Sequence, residues 1–106
     1  MTETRSGLEA SAICLYVFSL FLDGIEERTE AENIELFRLA AVDLGVKLGD
    51  FLMPARVAIT GKAVSLPLLE SIHILGIDES RKRLQAAQKM LAIRLTKGAK
   101  DNDRKA

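Results

Sequence analysis

The chain has 106 residues, of which 48% are hydrophobic and 28% charged, with one cysteine, one histidine and a net charge of zero. This length and composition suit one soluble globular domain with a modest core and exclude a largely disordered chain. The lone cysteine excludes an internal disulfide and favours a reducing, cytoplasmic compartment, and with a single histidine it cannot form a zinc site.

The net charge of zero conceals two halves of opposite charge. Residues 1–50 contain ten acidic and four basic residues, whereas residues 51–106 contain five acidic and eleven basic ones. Such a split can steer a polyanion toward the basic surface, and it is equally compatible with ordinary solvated helix faces.

The first predicted element is a helix that begins near Thr4 or Ser6 and ends at about Leu22. Its segment from Ser11 to Leu22 is apolar on almost every face, which predicts a central, buried helix. This segment is shorter than the roughly 20 apolar residues that a membrane span needs. It also lacks the basic flank and cleavage site of a signal peptide. We therefore expect no membrane association.

The second predicted helix begins after Thr29, an N-cap residue that is followed by Glu30 and Glu32 in the first turn. Acidic residues there interact favourably with the helix dipole. Gly45 is expected to end the helix. Its apolar residues recur at helical spacing: Ile34, Phe37, Ala41 and Leu44.

The segment from Val46 to Gly61 predicts one or two short helices, with Pro54 in the first turn of the second. A strand over residues 56–60 is an alternative, although no partner strand is apparent nearby. Gly61 is expected to end this element.

Two further helices are predicted in the C-terminal half. Ser65 is expected to cap the first of them, with Pro67 in its first turn and Gly76 at its end. Asp78 is expected to cap the last helix. The apolar stripe of that last helix comprises Leu84, Ala87, Leu91 and Leu95.

The predicted architecture is all-α: a compact bundle of about five helices that forms a single domain over residues 1–97. Residues 98–106 are charged and almost without apolar side chains, which predicts a disordered tail.

Two motifs stand in a fixed order within the segment from Glu30 to Leu84: "PARVAITG" over residues 54–61 and "SLPLLESIHILG" over residues 65–76. This series resembles the C-terminal anticodon-binding domain of bacterial glutamyl-tRNA synthetases. The resemblance implies a helical cage that binds the anticodon loop of a glutamate-type tRNA. The chain would be the C-terminal domain of a synthetase or a free-standing relative.

The resemblance also implies which residues bind RNA. It places Arg56 at an anticodon base, Ser65 and Leu66 at another base beside a helix start, and Leu68 near the anticodon. Leu66 stands where the family usually has proline, a departure that loosens this helix start. From chemistry, Arg56 offers a planar five-donor group suited to a base edge. Lys62 offers a charge for the phosphates.

The remaining candidates are weaker. The run Arg81-Lys82-Arg83 is either a set of phosphate contacts or a solvated face. His73 and Cys14 are expected to be structural, since His73 has no nearby metal ligand and Cys14 has no nearby base.

No catalytic constellation is apparent, and the synthetase motifs "HIGH" and "KMSKS" do not occur in this sequence. We expect no catalysis by this chain and no cofactor. Its expected partners are tRNA and a synthetase catalytic domain in the same or another chain. The alternative is a helical protein–protein interaction or regulatory module, in which the apolar first helix binds a partner or a second copy and RNA binding has been lost.

Overall fold

This computed structural model describes residues 3–62 and 67–105 of the chain, which contain five α-helices and the segments that connect them. The helices are α1 (Glu3–Leu22), α2 (Glu30–Leu44), α3 (Leu48–Thr60), α4 (Leu68–Leu75) and α5 (Ile77–Lys105). No strand occurs within these described ranges. The prediction of an all-α bundle of about five helices is confirmed.

Three phenylalanines from three helices form the centre of the core. Phe18 of α1, Phe37 of α2 and Phe51 of α3 are each at most 2% exposed. Their ring centroids lie 5.2 to 6.4 Å apart in tilted arrangements, which are favourable geometries for aromatic pairs. Helix α3 contacts each of the other four helices, so α3 is the element around which the domain packs.

Helix α1 is buried on one face only, so the prediction of a central helix buried all round is wrong. Phe18 and Leu22 lie in the core, whereas Ile13, Tyr16 and Leu20 are each about half exposed, at 49%, 58% and 56%. The reason is the arrangement of its neighbours. Helices α3 and α5 pack along α1, and a single face suffices for both contacts.

Helix α2 has the ends that its local sequence predicts. The Thr29 side chain accepts a hydrogen bond from the Glu32 N–H at 3.1 Å, and Glu32 accepts one from the Thr29 N–H at 2.8 Å. This reciprocal pair is a capping box. Gly45 ends the helix in the left-handed conformation. Of the four apolar residues at helical spacing, Phe37 and Ala41 are buried, whereas Ile34 is 40% exposed.

Helix α3 is one continuous helix, and Pro54 lies in its interior rather than in the first turn of a second helix. The alternative of a strand over residues 56–60 is also wrong. Phe51, Ala55 and Ile59 recur at four-residue spacing and are fully buried. Burial of this face on both sides of Pro54 outweighs the one backbone hydrogen bond that proline removes.

Gly76 serves two helices at once. Its N–H donates to the Ile72 carbonyl at 2.8 Å, which ends α4, and its carbonyl accepts from the Ser80 N–H at 3.1 Å, which begins α5. Asp78 therefore lies in the first turn of α5 and is not the cap that the sequence predicts. Helix α4 begins directly after Pro67, which occupies the N-cap position.

Helix α5 packs on the core through its N-terminal half. Leu84 is fully buried, and Ala87 and Leu91 pack against the core as predicted. The backbone continues as helix past Lys97, the predicted end of the domain, to Lys105. The domain boundary at Lys97 and the disorder of residues 98–106 stay predictions.

Candidate functional site

Helix α3 presents Arg56 beside the buried face that anchors the helix. Ala55 and Ile59 are fully buried, and Arg56, next along the chain, is half-buried. The Thr60 hydroxyl donates to the Arg56 carbonyl at 2.6 Å. The backbone of Arg56 is thus held by the core on one side and by the following turn on the other.

Gly61 is the residue at which α3 ends, and Lys62 follows it. Gly61 has a φ of 76°, a conformation that glycine adopts without strain. A Cβ there would meet no atom of the described residues within 4 Å, and the positive φ by itself accounts for the glycine. Lys62 is exposed, and its N–H donates to the Thr60 hydroxyl at 3.2 Å. The lysine charge is therefore at the surface, six residues after Arg56 in the chain.

Three of the predicted site residues, Ser65, Leu66 and Leu68, lie in the sequence at or just before the start of α4, and the structure describes only the last of them. Ser65 and Leu66 lie outside the described residues. Leu68 is 4% exposed and belongs to the core, so its side chain packs the start of α4 against the rest of the bundle. Pro67 is exposed and offers no side-chain cap to the first turn.

The basic run on α5 separates into three environments. Arg81 donates to Asp23 Oδ1 at 2.7 Å across the surface. Lys82 is exposed. Arg83 Nε donates to Glu79 Oε2 at 2.9 Å, and Arg83 Nη1 donates to the carbonyl oxygen of Ile59 at the end of α3. Both arginines are engaged with protein groups, so Lys82 is the best placed of the three for a phosphate.

The described residues contain no group of three or more histidine, cysteine or carboxylate side chains that could hold a metal ion. Cys14 is buried, and burial, with a smaller contribution from the charge of Asp50, raises the pKa of its thiol above the ordinary value of 9.0. A thiol with a raised pKa is a weak nucleophile at neutral pH. Among the described helices, none is both long enough and apolar enough to cross a bilayer.

Sequence reasoning missed a polar network that joins the end of α1 to α2. Arg28 donates to the Phe21 carbonyl at 2.6 Å and to Asn33 Oδ1 at 2.7 Å. The Asn33 side chain, 3% exposed, donates to the Ile25 carbonyl at 2.9 Å. The available signal was an asparagine within the first turns of an amphipathic helix, where a buried amide needs partners.

Two depressions flank this network. The first, of about 370 Å³, lies between the start of α2 and α4. Its lining combines charged and polar side chains, among them Arg28, Glu30, Glu70 and His73, with apolar Ile25 and Leu69. His73 is exposed at its edge. The second is an apolar groove of about 280 Å³ between α1 and α2, lined by Val17, Phe21, Leu36, Leu39, Ala40, Asp43 and Leu44.

Comparison with known proteins identifies one family. The family model described as "Anticodon binding domain" matches residues 7–88. These residues include Arg56, Lys62, Leu68 and the basic run on α5. No solved structure matches the chain significantly.

Curated relatives of this chain include glutamate–tRNA ligases. That of Borreliella burgdorferi is 36% identical over 93 residues, which are 88% of this chain and 19% of the relative. That of Treponema pallidum strain Nichols is 54% identical over 61 residues, 58% of this chain and 11% of the relative. That of Treponema denticola is 49% identical over 53 residues, 50% of this chain and 10% of the relative. The chain thus spans between a tenth and a fifth of the length of these relatives.

Proposed function

The chain belongs to the anticodon-binding domain family, and on that premise we propose that it binds the anticodon loop of tRNA and catalyses no reaction itself. The family match over residues 7–88 is the observation that carries the proposal. It covers the whole packed bundle up to the middle of α5. The alternative of a protein–protein module is not favoured, because the matching family is an RNA-binding one.

The end of α3 supplies the chemistry for such binding. Arg56 carries a planar guanidinium, which can donate two parallel hydrogen bonds to a base edge. Lys62, six residues further along the chain, is exposed and can neutralise a phosphate of the loop. Single-stranded RNA loops present splayed bases whose edges are accessible to such donors.

The start of α4 supports the same role. Pro67 provides no side-chain cap, and backbone N–H groups in the first turn of a helix attract negatively charged groups. The resemblance adds Ser65 and Leu66 as residues beside a second base, and Leu68 holds this helix start against the core. Lys82 is our choice for an additional phosphate contact on α5.

The RNA partner we propose is a glutamate-type tRNA, because the curated relatives are glutamate–tRNA ligases. The ligation would be carried out by a synthetase catalytic domain in the same or another chain, and this chain would contribute recognition of the anticodon. The cytoplasm is the compartment in which such a role is expected.

The test is tRNA affinity measured against salt concentration. The full chain is titrated with a glutamate tRNA transcript and with the same transcript carrying a scrambled anticodon loop. We expect log K to fall with log salt by about 0.7 for each single-strand phosphate that is neutralised, and the scrambled loop to bind more weakly. Equal affinity for the two transcripts, or an affinity that does not respond to salt, would contradict the proposal.

A further inference from the structure

Arg83 holds the last turn of α3 from a neighbouring helix. Its Nη1 donates to the Ile59 carbonyl while its Nε donates to Glu79 Oε2 at 2.9 Å. The Ile59 carbonyl is one of the last four of α3, which have no partner within their own helix. A hydrogen bond from a charged donor is stronger than one from a neutral donor. Arg83 therefore fixes the position of the α3 terminus relative to α5.

Two of the residues proposed to bind RNA, Arg56 and Lys62, lie directly before and after this last turn of α3. The Thr60 hydroxyl donates to the Arg56 carbonyl at 2.6 Å and accepts from the Lys62 N–H at 3.2 Å. These bonds connect Arg56 and Lys62 to the residue that follows Ile59. A displacement of the Ile59 carbonyl would consequently move the whole turn, with both of its cationic side chains.

The surroundings of Arg83 disfavour a direct phosphate contact. The Glu79 carboxylate, 2.9 Å from its Nε, offsets the positive charge and would repel a phosphate brought to the same guanidinium. Lys82, the preceding residue, is exposed on the same helix. The two cations are adjacent in the chain and differ in environment, so each serves as the control for the other.

We infer that Arg83 is a positioning residue for RNA binding: it anchors the end of α3, keeps Arg56 and Lys62 in place, and does not itself contact phosphate. The RNA-binding part of this inference rests on the proposed function. The anchoring part rests on the hydrogen bond to the Ile59 carbonyl alone.

The experiment compares Arg83→Met, Arg83→Lys and Lys82→Met in the full chain. Arg83→Met is expected to accelerate amide hydrogen exchange at Gly61, whose N–H donates to Val57. It should weaken tRNA binding by about twofold to thirtyfold, the range for residues that act without touching the ligand, and leave the salt slope unchanged. Arg83→Lys keeps a donor for the Ile59 carbonyl and should recover part of both effects.

Lys82→Met is expected to show the opposite pattern. It should lower the salt slope by about 0.7, the contribution of one single-strand phosphate, and leave exchange at Gly61 unchanged. Its folded state should match that of the wild type, because the side chain is exposed.

The inference is overturned if Arg83→Met lowers the salt slope as much as Lys82→Met does, since Arg83 would then contact phosphate. Unchanged exchange at Gly61 in folded Arg83→Met overturns it as well. If the wild-type chain binds no tRNA, the proposed function fails, while exchange at Gly61 still decides whether Arg83 anchors α3. Should Arg83→Met not fold, Arg83→Gln, which removes the charged donor but keeps a polar side chain, is judged by the same two criteria.

Discussion

At the scale of single residues, similar side chains have different roles because their surroundings differ. Arg28 and Arg83 donate to backbone carbonyls at helix ends and so hold helices together. Arg38 pairs with Glu35 at the surface, where both side chains are more than half exposed, an arrangement that contributes little to stability. Arg56 lies on α3 within the segment that matches the anticodon-binding family. The local sequence does not distinguish these roles.

Replacing Arg56 should therefore affect RNA binding more than replacing an arginine elsewhere. Arg56→Ala is expected to weaken tRNA binding by about 1–3 kcal/mol, the usual loss for an arginine that reads a base. Arg38→Ala removes the same charge from the surface of α2 and should have a smaller effect. The measurement is tRNA affinity at fixed salt, with thermal unfolding as a check on folding. Equal losses in the two variants would argue against base recognition by Arg56.

The buried amide of Asn33 should be important for stability. Asn33→Ala leaves the Ile25 carbonyl without its 2.9 Å donor and removes an acceptor from Arg28. An unsatisfied buried polar group costs about 1–3 kcal/mol, and we expect a loss of that size in the free energy of unfolding measured with urea. Glu35→Ala, on the exposed side of the same helix, is the control. A loss no larger than that of the control would show that water replaces the amide.

Ionisation of the Cys14 thiol should make the free energy of unfolding depend on pH above about pH 8. Burial raises the pKa of this thiol in the folded protein above 9.0, its ordinary value. Above that pH the unfolded chain loses the thiol proton while the folded chain retains it, so stability present below pH 9 falls as pH rises toward the folded pKa. Cys14→Ala should lose less stability between pH 8 and about pH 10 than the wild type. If the free energy of unfolding of Cys14→Ala and of the wild type changed equally with pH, the prediction would be wrong.

At the scale of helices, ends are set by local chemistry and continuity is set by packing. Thr29, Glu32 and Gly45 define the limits of α2 through hydrogen bonds within a few residues, and the sequence was sufficient to predict them. Pro54 also resembles a local signal for a helix start, yet α3 runs through it. The apolar face of α3 must be continuous to pack against four other helices, and that requirement overrides the local preference of proline.

Pro54 should consequently be a site at which stability can be increased. Pro54→Ala restores an N–H that can donate to the Asp50 carbonyl, and we expect a gain of about 1–3 kcal/mol in the free energy of unfolding, reduced by the greater freedom of the unfolded chain. Met53→Ala, at a neighbouring exposed position, controls for the helix propensity of alanine. A loss of stability in Pro54→Ala would show that the proline ring contributes more through packing than it costs.

At the scale of the whole molecule, a net charge of zero is distributed unevenly among the helices. Helix α2 carries Glu30, Glu32, Glu35 and Asp43 against Arg38, whereas α5 carries more basic than acidic residues. A polyanion would be attracted to the side of α5 and repelled from that of α2. Arg83 of α5 is hydrogen-bonded to the end of α3. The proposed site at the end of α3 therefore lies beside the basic helix to which a polyanion would be attracted.

The C-terminal tail should be dispensable for folding. Among the side chains that the structure describes, Leu91 of α5 is the last along the chain that packs against the core. Removal of residues 98–106 is therefore expected to change the free energy of unfolding by less than about 0.5 kcal/mol. The comparison is urea denaturation of the chain ending at Lys97 with the full chain. A larger loss would place the domain boundary beyond Lys97.

The sequence by itself determined the all-α class, the ends of α2, the termination at Gly61 and the resemblance that leads to the RNA-binding proposal. These features depend on residues close together in the chain or on an ordered motif. The tertiary structure decided that α1 has one exposed face, that α3 continues through Pro54, that Leu68 is buried and that Arg83 anchors α3. Each of these depends on a contact between distant residues, as Arg83 and Ile59 are 24 positions apart, and such contacts arise only once the helices have packed.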